Sequence, residues 1–134
     1  MVNYLAILIS GIVSMIIGGL WFGPLFGKKW MRLMNIPQKQ MQEMKKKGMG
    51  KSYFWGFIMT LIMSVVLSLF ISYFGATTFE QGCWLGFLVW MGFFVTSKLG
   101  MVLWENKPFS LYLIHILHDL LALLIVGGIL AVWA

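Results

Sequence analysis

Residues 53–74 read YFWGFIMTLIMSVVLSLFISYF, a run without one charged side chain. A bilayer core about 30 Å thick takes roughly 20 residues of helix, because each residue rises about 1.5 Å. The run is long enough to span by itself. Strands of a membrane barrel would read as segments of about ten residues alternating in and out, a pattern this stretch lacks. Outward from it lie three further windows of the same kind. Tyr4 to Phe26 is uncharged until Lys28, Gly82 to Trp104 holds only Lys98, and Phe109 to Trp133 holds only Asp119, with His115 and His118. The expected fold is an all-α membrane protein of four transmembrane helices, one domain over residues 1–134. Hydrophobic residues are 60% of the chain and charged residues 10%, against roughly 25% charged in soluble domains. Most of the surface is therefore expected to meet lipid.

Of the ten Lys and Arg, eight lie between the first two spans: Lys28, Lys29, Arg32, Lys39, Lys45, Lys46, Lys47 and Lys51. Cations resist translocation during insertion, which predicts that this loop is cytoplasmic and both termini external. The connection around Gly75 to Gln81 carries only Glu80 and falls outside, while the Glu105 to Pro108 turn, with Lys107, falls inside. Nothing basic precedes the first apolar run, so it reads as a retained anchor and not a cleavable signal. Within the loop, Trp30, Met31, Leu33 and Met34 precede Pro37, and Met41 and Met44 follow among Lys, Gln and Glu. Apolar residues three apart among charges predict a short amphipathic cytoplasmic helix in the headgroup layer, ended by Gly48 and Gly50. The net charge of +6 and pI near 9.7 are read as a bias toward anionic lipid headgroups, not as a nucleic-acid site.

Between lipid-solvated helices, small residues permit the close backbone approach that water drives elsewhere. The second span carries Gly56, Thr60, Ser64, Ser68 and Ser72 at four-residue spacing, the third Gly92, Thr96 and Gly100, and the first Ser10, Ser14 and Gly18. Helix packing is the expected role, with a hydroxyl-lined path for water or an ion as the alternative.

Ionisable residues inside the spans carry the chemistry, since a charge at the bilayer centre costs about 2.5 to 3.5 kcal/mol on insertion scales. Asp119 lies roughly 16 Å along the fourth helix from Pro108, near mid-membrane. His115 and Tyr112 precede it by one and two turns on the same face, whereas His118 points about 100° away. The group is a candidate proton relay, ion or substrate site, or structural knot. Lys98 is nearly level with His115. It can pair with Asp119 or snorkel to the headgroups along Phe87, Met91, Phe94, Val95, Met101 and Val102, a face suited to lipid.

No metal site is expected within one chain, because His118 diverges from His115 and Asp119 and no cysteine cluster completes a tetrahedral set. The single Cys83 excludes an internal disulfide and reads as a packed thiol. The eleven methionines suit flexible apolar packing better than copper. With no nucleophile and base at useful spacing and no phosphate-cradling loop, neither an enzyme nor a cofactor is expected.

Four segments resemble a known family: WFGPLFGKKWMRLM at 21–34, KKKGMGKSY at 45–53, Trp90-x-Gly92-Phe93 with Thr96, and Glu105-x-Lys107-Pro108. Together they look like the bacterial and archaeal four-helix membrane family catalogued as domain of unknown function 1761. The aromatic Gly-Pro segment is the most specific of them, and the likeness covers nearly the whole chain. The resemblance implies a four-helix integral membrane fold and no established activity. It places His118 at a family histidine and leaves Asp119 without a counterpart, so it assigns Asp119 no family-wide catalytic role.

The leading expectation is a homo-oligomeric, transporter- or channel-like bundle for a small solute or ion in the cytoplasmic membrane. The polar line on its fourth helix would face a cavity whose other wall comes from a neighbouring subunit. The competing expectation is a non-catalytic membrane assembly, or a lipid- or partner-binding protein.

Overall fold

A computed structural model describes residues 3–35, 37–48 and 50–133, and every element among them is helical. Helix α1 (Tyr4–Leu20) runs into a wide π-helical turn, Trp21–Leu25, then α2 (Gly27–Leu33) and α3 (Gln38–Lys47) lead to α4 (Gly50–Phe74). The third span is segmented into α5 (Phe79–Val89), a second π segment (Trp90–Val95), α6 (Thr96–Lys98) and α7 (Gly100–Leu103), and α8 (Phe109–Trp133) closes the chain. Four helices are long and apolar enough to cross a membrane: Tyr4–Leu25, Gly50–Phe74, Phe79–Leu103 and Phe109–Trp133. The second and third begin three residues earlier than the apolar windows, because helix geometry tolerates Lys51 and Glu80 in a first turn that hydropathy excludes. The chain breaks at Pro37 and at Gly48, whose φ of 88° favours glycine. The side chains of Met41 and Met44, two of the six apolar residues of the expected amphipathic segment, lie outside the described residues.

Local chemistry sets the helix ends. The Asn3 side chain accepts from the Ala6 amide and donates to the Trp133 carbonyl at 2.7 Å, so it caps α1 and ties the start of the first span to the end of the last. Thr78 accepts from the Gln81 amide while Gln81 Oε1 accepts from the Thr77 amide, a near-reciprocal capping box at the start of α5. At the end of α4, Gly75 (φ 72°) lets the Ala76 amide reach back to the Ile71 carbonyl, which closes the helix in a Schellman turn.

Helix α8 is the axis of the bundle. Twelve of its residues are buried, and it packs against α1, α4 and α5. Its closest neighbour is α5, and the reason is glycine on both sides. A Cβ on Gly82 would overlap the Gly127 carbonyl oxygen and lie 2.7 Å from the Ala131 Cβ, and one on Gly86 would overlap the Leu123 carbonyl. Spans two and three scarcely touch. Between them lies a groove of about 1330 Å³, bordered by Phe70, Tyr73, Trp84 and Leu88.

The small-residue rows are placed unevenly. Ser64 and Ser68 are buried within the bundle, Gly56 and Thr60 are half-buried, and Ser72 is exposed. Thr60 and Ser64 hydroxyls donate to carbonyls of their own helix, Phe57 and Thr60. Of the Gly92, Thr96, Gly100 row, Gly92 and Thr96 are exposed and a Cβ on Gly92 would meet no other helix within 4 Å, whereas Gly100 is half-buried beside Trp104. The physical reason is register. Gly82, Gly86 and buried Trp90 form one line toward α8, so a residue two beyond Trp90 points the opposite way.

Candidate functional site

Wide π turns release backbone carbonyls from their usual helical donors, and in lipid each unsatisfied group costs several kcal/mol. Three hydroxyls add donors to carbonyls of the second π segment, of which that of Phe93 also accepts from the Thr96 amide. Thr96 donates to the Gly92 carbonyl, Ser97 to that of Phe93, and Tyr112 of α8 to that of Val95 at 2.8 Å. Tyr112, expected in the polar line, spends its hydroxyl on this bond. Two tryptophans also brace α8 by donating to its carbonyls, Trp21 to Ile114 at 2.9 Å and Trp90 to Ile116 at 2.6 Å. Cys83 is half-buried and donates to a third, that of Leu124.

Beside these braces sits the polar group. Lys98 Nζ lies 2.5 Å from Asp119 Oδ2, and the other carboxylate oxygen lies 3.2 Å from His118 Nδ1. Lys98 also stands over the Phe94 ring, 5.6 Å from its centroid. The Asp119 side chain is 11% exposed, His118 20% and Lys98 38%. The histidines exchange the places that helical spacing predicts. His118, adjacent to Asp119, folds its short ring back onto the carboxylate, whereas His115 turns toward Phe22, 5.4 Å away. Phe22 stands between them, 5.1 Å from His118. Chain neighbours meet because Nδ1 is close enough to the backbone to bridge a turn of about 100°.

The face around Lys98 is also corrected. Phe87, Phe94, Val95, Met101 and Val102, expected to meet lipid, pack against the core, and of that face Met91 is exposed. The glycine contact of α5 with α8 brings the third span against the fourth, and Lys98, beyond the π segment, reaches Asp119.

Two spaces adjoin the ion pair. A vestibule of about 490 Å³ is lined by Ser97, Lys98, Met101, Trp104, Glu105 and His115, at the end of the bundle that holds the α7 to α8 turn. A central cavity of about 170 Å³ receives Ser14 from the first span, Thr60 and Met63 from the second, Phe94 from the third, and His118 and Asp119 from the fourth. Lys98 thus lines one space and its partner Asp119 the other. Ser14 Oγ, Ser10 Oγ and His118 Nε2 are buried without a hydrogen-bond partner among the described residues. Gly18 leaves room beside the ring, since a Cβ there would come within 3.6 Å of Nε2.

With both π turns and their aromatic partners in place, the sequence segments that carry the likeness acquire a structural meaning. The chain belongs to the family described as protein of unknown function (DUF1761). The family model matches residues 5–131. No curated protein matches the chain, and no solved structure does. In this DUF1761 chain the Trp21-Phe22-Gly23-Pro24 and Trp90-Met91-Gly92-Phe93 segments are the π turns themselves, and both border the polar group. Among the described residues no three His, Cys, Asp or Glu side chains gather as a metal set.

The residues that sequence reasoning passed over are Gly82, Gly86 and Gly127. Gly82-x-x-x-Gly86 was visible as a small-residue motif, but the row at Gly92 offered an equal pattern, and spacing alone does not rank them.

Proposed function

We propose that this protein is a transporter- or channel-like bundle that passes a small solute or ion, with the Lys98–Asp119 pair as its gate. One observation supports the reading: the ion pair, with Asp119 buried and Lys98 half-exposed, stands between the vestibule and the central cavity, each partner lining a different space. An ion pair that served only to neutralise two misplaced charges would need neither space. Intramembrane charges most often mark such pathways, since their insertion cost demands a compensating role.

In this reading the bundle lies in the cytoplasmic membrane with both termini outside, and the α2 to α3 segment rests on anionic headgroups inside. The vestibule then opens to the cytoplasm. A second copy completes the pathway, and the exposed Gly92 and Thr96 are suited to a close helix contact with it. No catalytic role, cofactor or nucleic acid enters the proposal. The same exposed row favours a second reading, a membrane assembly without transport.

The test is ion and solute flux in proteoliposomes. Wild type is expected to leak at least one of Na+, K+, Cl− or H+ above empty vesicles, and Asp119→Asn to lose that flux while remaining folded. Equal flux from both proteins and empty vesicles would leave the assembly reading in its place.

A further inference from the structure

We propose that the species moved is the proton, and that the His118 imidazole hands it between the central cavity and Asp119; this rests on the pathway reading above. The ring touches both sides of that exchange. Its Nδ1 faces Asp119 Oδ1 at 3.2 Å, and its Nε2 is buried with no partner among the described residues. A carboxylate only accepts, so the hydrogen of the neutral ring belongs on Nδ1 and leaves Nε2 a bare acceptor. The cavity supplies what such an acceptor needs. Its volume of about 170 Å³ holds several waters, and in a mainly apolar wall Ser14, Thr60, His118 and Asp119 bring the polar atoms; the unpartnered Ser14 hydroxyl is a second group for those waters to bond. Ser10, buried and likewise unpartnered, lies one turn further from the vestibule and extends the hydroxyl row toward the far face.

The step balances. Nε2 takes a proton from cavity water as Nδ1 releases its own to Oδ1, so the ring ends neutral with its hydrogen on the other nitrogen. Asp119 is now uncharged and no longer an ionic partner for Lys98, whose half-exposed ammonium turns to the vestibule. Asp119 then yields the proton to water that enters from the vestibule while Lys98 is turned aside, and Lys98 returns. The ring regains its first tautomer by turning from Asp119, so that cavity water takes the Nε2 hydrogen and gives one to Nδ1. The groups that face the ring from each packed element are few. Asp119 and His115 share its helix, Lys98 comes from the third span, and the first and second spans bring uncharged Trp21, Phe22, Ser14, Thr60 and Met63. A proton suits this site better than a metal cation, because Lys98 already occupies the carboxylate.

The experiment drives proteoliposomes with a potassium diffusion potential and reads internal pH with a trapped dye, with Na+ and Cl− isotope uptake in parallel. Wild type should acidify the lumen, and His118→Gln should slow this at least tenfold. Vesicles that pass Na+ or Cl− but no protons would overturn the proton and leave the pathway standing, whereas vesicles that pass nothing would remove both. Undiminished proton flux in His118→Gln would overturn the relay. Should that variant fail to fold, nitrogen NMR of histidine-labelled wild type decides: hydrogen on Nδ1 of His118 supports the relay, and hydrogen on Nε2 of the neutral ring overturns it.

Discussion

Removing one charge from the Lys98–Asp119 pair measures how much the bundle depends on it. Cutting a fully buried pair in half costs about 3–5 kcal/mol, because the surviving charge has lost its partner. Asp119→Asn should cost less, about 1–3 kcal/mol, for two structural reasons. Lys98 is 38% exposed, so its ammonium regains water or headgroups through the vestibule. The carboxylate also serves two donors on separate oxygens, Lys98 on Oδ2 and His118 on Oδ1. The amide keeps one acceptor and turns a second donor toward the other partner, so one contact survives. Lys98→Met should cost about 2–4 kcal/mol, the larger loss, since it strands the more deeply buried partner. The double variant should return to within about 1 kcal/mol of wild type, because neither charge is left alone. The assay is equilibrium unfolding of the four proteins in one detergent or nanodisc, read by circular dichroism. Additive losses in the double variant would show that the two side chains do not interact in the folded protein, and the gate with them would fall.

Further outcomes follow from other contacts. Gly86→Ala should destabilise the fold by about 1–3 kcal/mol by pushing α5 off the Leu123 carbonyl; an unchanged melting profile would refute the close contact with α8. Gly92→Leu should leave the monomer's stability within about 0.5 kcal/mol, since a Cβ there meets nothing within 4 Å beyond its own stretch of helix, while lowering cross-linked oligomer yield if that face is the interface. Tyr112→Phe should cost about 1 kcal/mol through the lost bond to the Val95 carbonyl, with faster amide exchange confined to residues 90–98 as the diagnostic. Cysteines placed at 39 and 46 should label only after the membrane is permeabilised, and labelling in intact cells would reverse the orientation.

What the residues determine alone is whatever sums along a single helix. Membrane insertion adds transfer free energies residue by residue over roughly 20 positions, so the four spans were legible, and so were the breaks at Pro37, Gly48 and Gly75. The titratable residues of the site were legible too, because a charge amid apolar residues stands out wherever it points. Their partners were not. Helix rotation and neighbour choice depend on contacts between residues distant in sequence, and two small-residue rows on one span score alike until a second helix is laid against them. Gly82 and Gly86, not Gly92, are where the third span meets α8, and Lys98 of that span reaches Asp119; that His118 and not His115 meets the carboxylate was settled by side-chain conformation. The second π turn was equally hidden, since Thr96, Ser97 and Tyr112 all donate to its carbonyls, and one of those three hydroxyls comes from another helix.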